Sequence, residues 1–341
     1  MQSDEIARIV SEVLKRLEKD ELSSVLTATP SIAPARVQSL PSPQSGDAVL
    51  FSSVDAAVKA AEIAQGEFQD LGLELRREVI LAMREAAIAN AERLAKLAVE
   101  ETGLGRWQDK VQKNLVCATR TPGVEDLVSR AYTGDKGLTL VEYAPYGVVA
   151  AITPSTNPAA TIINNAISII AAGNSVVFAP HPASFKTCLE TMRILSTAAV
   201  AAGAPKALIT TFDKASQDNT KALLGHPDTR VNMVTGGPAI VKVAMTVGKT
   251  CKTIAAGPGN PPVVVDETAE FPKCAQDIIF GASFDNNVLC TAEKEVIVTA
   301  AARDRFLAGM RGDPRAFELN ASQTEALVKL VIKVGGRGCK D

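Results

Sequence analysis

The chain has 341 residues, of which 46% are hydrophobic, 22% charged and 4% aromatic; that is room for two domains whose cores are built mainly of Ala, Val, Ile and Leu. A formal net charge of −2 gives no general attraction to nucleic acid or to an anionic membrane, so any anionic ligand must be held by local features. The only histidines, His181 and His226, each precede a proline, which excludes a multi-histidine zinc site and argues against a Ser-His-Asp or Cys-His hydrolase. No apolar run reaches bilayer length, since 166–178 is broken by Gly173, Asn174 and Ser175. Asp4, Glu5 and Arg8 exclude a secretory signal at the N-terminus. Six cysteines are scattered without a CxxC pair and read as free thiols.

Residues 1–18 are predicted to form an amphipathic helix, because Ile6, Ile9, Val10, Val13, Leu14 and Leu17 recur at spacings of three and four. Ser3 is its expected cap, with Asp4 and Glu5 favouring the N-terminus. Residues 19–46 carry Pro30, Pro34, Pro41 and Pro43 among Ser, Thr, Ala and Gln, a linker composition. A short apolar-faced helix on such a tether docks on a different protein or, alternatively, on its own domain or a sister subunit. Helices are expected over 54–68 and over 73–103, the second closed by Gly103.

A βα alternation follows. Strands are expected over 146–153, 175–179, 207–211, 231–234 and 252–255, with helices over 158–172, 185–202, 216–224 and 238–247 between them. Short aliphatic strands separated by helices predict a doubly wound, Rossmann-type parallel sheet, assigned here to 47–265. The remainder, 266–341, reads as an incomplete α/β domain, with helices over 268–283 and 322–334 and a strand over 295–299. Its glycine-rich ending, 335–341, reads as an interrupted sequence rather than a finished domain.

Three runs carry chemistry. Cys290 stands in Phe284-Asp285-Asn286-Asn287-Val288-Leu289-Cys290, and a cysteine can attack a carbonyl. Asn157 stands in Thr153-Pro154-Ser155-Thr156-Asn157-Pro158, and its amide can stabilise the resulting oxyanion or cap the following helix. The third run, 255–262 (AAGPGNPP), holds no carboxylate to activate water. Converging, they give acyl transfer through a thioester to an acceptor other than water. The strand-to-helix junctions 154–158, 180–184 and Thr235-Gly236-Gly237 offer helix N-termini to a ligand, the glycines allowing a phosphate to approach the backbone. No GxGxxG follows a strand.

Together with 141–147 (VEYAPYG), 172–184 (AGNSVVFAPHPAS), 257–267 (GPGNPPVVVDE) and 281–294 (GASFDNNVLCTAEK), these runs give the chain a resemblance. It resembles the aldehyde dehydrogenase superfamily from about Val54 to at least Thr299, and within it the CoA-acylating enzymes of bacterial microcompartments. Among those it looks most like the propionaldehyde dehydrogenases of propanediol utilisation, with the acetaldehyde enzymes of ethanolamine utilisation next.

The resemblance implies an aldehyde dehydrogenase-like α/β fold, Cys290 as nucleophile and Asn157 as oxyanion donor. It implies cofactor contacts from Thr153, Pro154, Ser155, His181, Pro182, Thr235, Gly236, Gly237, Ala256 and Gly257. His181 contacts the ribose or adenine or, alternatively, shapes its own loop; His226 reads as a surface cap. NAD as cofactor, CoA as co-substrate, a short-chain aldehyde (propionaldehyde favoured, acetaldehyde the alternative) and no metal are expected. Hydrolytic members carry a glutamate base where Ala256-Gly257-Pro258-Gly259 stand here. The N-terminal helix resembles an encapsulation peptide. It implies a shell-protein partner and a cytoplasmic microcompartment location, with a homo-oligomer in full-length form and no nucleic-acid or membrane partner. Family members continue beyond the point where this chain ends. The alternative is an inactive, truncated relative serving as microcompartment cargo or a binding protein.

Overall fold

The computed structural model describes residues 48–247 and 251–333, with the backbone of 337–338; the helix and linker expected over 1–46 lie outside the described residues. Strand β1 (Leu50–Phe51) leads into helix α1 (Val54–Gln69), whose first turn is capped by Ser53 Oγ accepting from the Ala56 N–H at 3.2 Å. Helices α2 (Gly72–Ala89) and α3 (Ala91–Thr102) replace the single helix expected over 73–103. The break falls at Asn90, whose backbone leaves helical geometry (φ −108°, ψ 6°) while its Nδ2 donates to the Ala86 carbonyl at 2.8 Å. Gly103 ends α3 in the left-handed conformation, as a glycine cap should. Helix α4 (Trp107–Arg120) and an exposed antiparallel hairpin of β2 (Arg130–Gly134) and β3 (Gly137–Val141) had no counterpart in the sequence reading.

The alternation then runs β4 (Val148–Thr153), α5 (Pro158–Ala171), β5 (Ser175–Pro180), α6 (Phe185–Ala201), β6 (Ile209–Phe212), α7 (Gln217–Leu224), β7 (Thr229–Thr235), α8 (Pro238–Thr246) and β8 (Lys252–Ala256). Six strands make one sheet in the order β1-β6-β5-β4-β7-β8, with every pairing parallel. Neighbouring residues of a strand serve opposite layers. Val149, Ala151, Val176 and Phe178 join the core beneath α2, α5 and α6. Val148, Ala150, Ile152, Val177 and Ala179 join the core beneath α1, α7 and α8. Both faces are therefore covered, which is why these strands read as unbroken aliphatic runs. After β4 the chain adds β5 and β6 on one side and returns to place β7 and β8 on the other, so the order reverses between β4 and β7.

A second, smaller layer pairs β9 (Pro262–Val265) with β10 (Glu295–Val298), again parallel, with α9 (Lys273–Ser283) in the crossover and α10 (Arg303–Gly312) beside it. Its core is Val265, Ala275, Ile278, Ala302 and Phe306. Strand β9 lies before the expected domain boundary at 265/266 and pairs with β10, which lies after it. Helix α9 starts five residues later than the expected 268, because Thr268 is held in a turn by its N–H and hydroxyl donating to Asp266 Oδ1 at 2.9 and 2.6 Å. Helix α11 (Ala321–Val331) follows, opened by an Asn320–Gln323 capping box.

Candidate active site

The C-terminal ends of β4, β5, β7 and β8 share one edge of the sheet, and most of the anticipated cofactor residues fall there. Thr153 pairs in register with Pro180, and Thr235 with Ala256. The Gly236 N–H donates to the Ala256 carbonyl at 3.1 Å, joining Thr235-Gly236-Gly237 to Ala256-Gly257. Pro154 and Ser155 leave β4 half-buried, next to the switch point where open α/β sheets bind ligands.

The two flanking junctions differ in what they can still accept. At α6 the N-terminus is already occupied: Glu101 accepts from the N–H groups of Lys186 and Thr187, both at 2.7 Å, and from the Thr187 hydroxyl at 2.6 Å. His181 Nδ1 accepts from the Ala183 N–H at 3.1 Å, so this exposed ring shapes its own Pro182 turn. At α8 no side chain caps the helix; Gly237 is exposed, and a Cβ there would meet open space. That N-terminus suits the phosphates of a dinucleotide, whose charge the free N–H groups and the helix dipole favour. The Thr153 side chain is buried, with Oγ1 3.7 Å from Cys188 Sγ on α6.

The loop leading to Cys290 is built from Asp285, Asn286 and Asn287, three consecutive residues with left-handed backbones (φ 50°, 53° and 58°). Asp and Asn tolerate this region better than other non-glycine residues, yet each still carries a cost of order 1–3 kcal/mol. Side-chain bonds hold the turn. Asn287 Nδ2 donates to the Ala282 and Glu293 carbonyls at 2.6 and 3.1 Å. Lys294 Nζ donates to Asn287 Oδ1 and, at 3.1 Å, to the Leu289 carbonyl. Cys290 emerges exposed from this turn. Among the other described cysteines Cys188 is fully buried, its thiol pushed up to about 12 by burial, and burial also raises Cys117 and Cys251. Gly259 lies so close beneath Cys290 that a Cβ there would overlap the Cys290 carbonyl. The segment passing Cys290 is therefore Gly257-Pro258-Gly259-Asn260-Pro261, which has no ionisable side chain.

Asn157 stands at the start of α5 but makes no cap bond with its side chain, so the helix-cap alternative is not realised. Its Oδ1 instead accepts from Lys113 Nζ at 2.6 Å, and its Nδ2 donates to Thr156 Oγ1 at 3.0 Å. Lys113 also donates to Asp285 Oδ2, as does Lys110 at 2.9 Å. Lys110 reaches the Thr156 carbonyl at 3.1 Å, and Asp285 Oδ1 accepts from the Arg106 N–H at 2.7 Å. The structure thus joins Asn157 to the Cys290 loop through a buried ion cluster of Lys110 and Lys113 on α4 with Asp285. Sequence reading assigns Lys110 and Lys113 no role, and Asp285 and Gly259 stand in it only as members of the runs at Cys290 and Ala256; the one available signal for the lysines is the spacing of Lys110, Lys113 and Asn114 along a single helix face.

The aldehyde dehydrogenase family model matches residues 23–327. This chain belongs to the aldehyde dehydrogenase family. It is 49% identical over 284 residues to the acetaldehyde dehydrogenase (acetylating) EutE of Salmonella typhimurium, covering 83% of this chain and 60% of that protein. A propionaldehyde dehydrogenase from the fucose-utilisation microcompartment of Clostridium phytofermentans superposes with a TM-score of 0.80 at 41% identity, covering 84% of this chain and 66% of that one. The Rhodopseudomonas palustris propionaldehyde dehydrogenase, solved with bound CoA and an acylated cysteine, gives 0.80 at 43% identity over 86% of this chain and 67% of that one. The chain thus spans about three fifths to two thirds of the length of these family members.

Proposed function

We propose that the chain carries the nucleotide-binding and nucleophile-bearing parts of an NAD-dependent, CoA-acylating aldehyde dehydrogenase acting on a two- or three-carbon aldehyde. The observation that carries this reading is the contact of Gly259 with Cys290: what passes the nucleophile bears no group able to activate water. The similarity to enzymes named as acetylating, and to one solved with CoA and an acylated cysteine, supports it.

Cys290 Sγ would add to the aldehyde carbon to give a thiohemiacetal. The Asn157 amide and the Cys290 backbone N–H would stabilise the developing alkoxide, a donor being worth about 3–4 kcal/mol of barrier. Thr235-Gly236-Gly237, Ala256 and Gly257 would hold NAD, which when bound supplies the acceptor for the electron pair lost as thiohemiacetal becomes thioester. The CoA thiolate then displaces Cys290; with no base positioned for water, a thiol is the better acceptor.

NADH formation with propanal or acetaldehyde, NAD and CoA should be CoA-dependent and abolished in Cys290→Ala. Turnover at an equal rate without CoA would make water the acceptor and overturn the acylating reading. Absence of turnover in the wild-type chain would favour the cargo-protein alternative. Encapsulation belongs to the same proposal, supported by the spacing of Ile6, Ile9, Val10 and Val13 and by the origin of a structural neighbour in a fucose-utilisation microcompartment; a place in propanediol utilisation rests on the sequence resemblance alone. Residues 1–19 fused to a fluorescent protein should localise with shells, and charged residues at Ile9 and Val13 should abolish that; unchanged localisation would refute targeting by this segment.

A further inference from the structure

We propose that Lys113, braced by Asp285, is the positioning residue that fixes the Asn157 amide in the orientation an oxyanion donor needs; this rests on the reading of Asn157 given above. Two ammonium groups, Lys110 and Lys113, are 2% and 9% exposed against a single carboxylate, Asp285, that is fully buried. A buried cluster with one uncompensated charge is a poor source of stability, since apolar residues of similar volume serve as well or better. Its bonds point to another role. Besides Asp285, Lys110 bonds the Thr156 carbonyl and Lys113 bonds Asn157 Oδ1. Both cations therefore link the segment carrying the oxyanion donor to the loop carrying Cys290.

An ammonium has donors and no acceptor, whereas an amide has one of each at its two ends. Lys113 therefore accepts only one orientation of Asn157, with oxygen toward the lysine and the NH2 turned away. In that orientation Nδ2 rests on the hydroxyl of the adjacent Thr156, a contact between neighbours that an incoming alkoxide can replace. The charge at Oδ1 also polarises the amide and makes its N–H a stronger donor. Burial pushes the Lys113 ammonium down to about 8, so the cluster is held at a cost.

Lys113→Met is the variant of choice, because Lys110 and Asp285 remain as a neutral pair and the cluster is not left with an unpaired carboxylate. Turnover should fall roughly 10²-fold, as on removing one oxyanion donor. The KM for aldehyde should stay within about threefold, since the interaction belongs to the transition state. Alkylation of Cys290 by iodoacetamide should be unchanged. Lys113→Gln, which can still donate, should recover part of the loss. Asn157→Ala should lose as much as Lys113→Met, and the double variant no more than either, because the two act as one unit. Multiplying losses, or slowed alkylation alongside the fall in turnover, would overturn the proposal and reduce Lys113 to a scaffold for the loop. If the wild-type chain shows no turnover, the functional reading fails while the positioning claim is still read directly. A crystal structure of Lys113→Met should then show Asn157 released from its single orientation, and an unmoved Asn157 would refute it.

Discussion

At the scale of single residues, Lys113 couples stability to proton binding. Burial depresses its folded-state pKa to about 8, below the ordinary lysine value, which the unfolded chain keeps. Between those two values the unfolded state binds more protons, so the contribution of this group to stability rises with pH across that window and is lowest below pH 8. Urea unfolding of wild type and Lys113→Met at paired pH values should therefore show the difference moving in favour of wild type from about pH 8 to about 10.5, by no more than about 3 kcal/mol. A pH-independent difference would mean that Lys113 titrates as an exposed lysine. Cys290 and Asn157 are singled out in the sequence by the motif runs that carry the family resemblance, although the Asn157 run could equally cap a helix. Lys113 is not: a lysine in a charged helix ordinarily faces water, and only its burial marks it out.

At the scale of elements, the reading succeeded where apolar periodicity and burial agree. The strands of the six-stranded sheet are aliphatic because helices cover both faces, and α5, α6 and α8 fall within a residue of their expected ends. It failed where the buried face is polar. Helix α4 turns Lys110, Lys113, Asn114 and Ala118 inward and leaves Val116 57% exposed, the reverse of an amphipathic pattern. The β2–β3 hairpin escaped notice for the complementary reason, since all ten of its strand residues are exposed and no alternation marks a buried face. The split at Asn90 depends on one side chain competing for a helix carbonyl, which residue spacing does not report. The candidate site shows the same division: Asn157 and Cys290 stand in runs that the sequence singles out, while Lys110 and Lys113, which link their segments, sit on α4, an element it does not mark.

At the scale of the whole chain from residue 48 onward, the two layers are held by very unequal cores. The large sheet is sandwiched between two extensive apolar clusters, whereas β9, α9, β10 and α10 close around Val265, Ala275, Ile278, Ala302 and Phe306. Val264 and Ile297, the outward residues of that small sheet, are 71% and 57% exposed. Local opening free energies follow buried apolar contact, so the small layer should open well before the large one. The loop leading to Cys290 lies between α9 and β10 and is bonded through Asn287 to Ala282 on α9 and to Glu293 just before β10. Yet it is also anchored by Asp285, bound to Lys110, Lys113 and the Arg106 N–H on and beside α4. Helix α4 in turn packs on α5 and on the large core through Ala118. Hydrogen exchange followed by mass spectrometry should therefore show β9 and β10 at least tenfold less protected than β4 and β5. Peptides covering 284–288 should follow α4 rather than their sequence neighbours. Exchange of 284–288 at the rate of α9 and β10 would show that the ion cluster does not hold the loop to the nucleotide-binding layer. The matching rate for α4 and 284–288 would show that Cys290 is presented by the stable layer, across the boundary that the sequence places between the two.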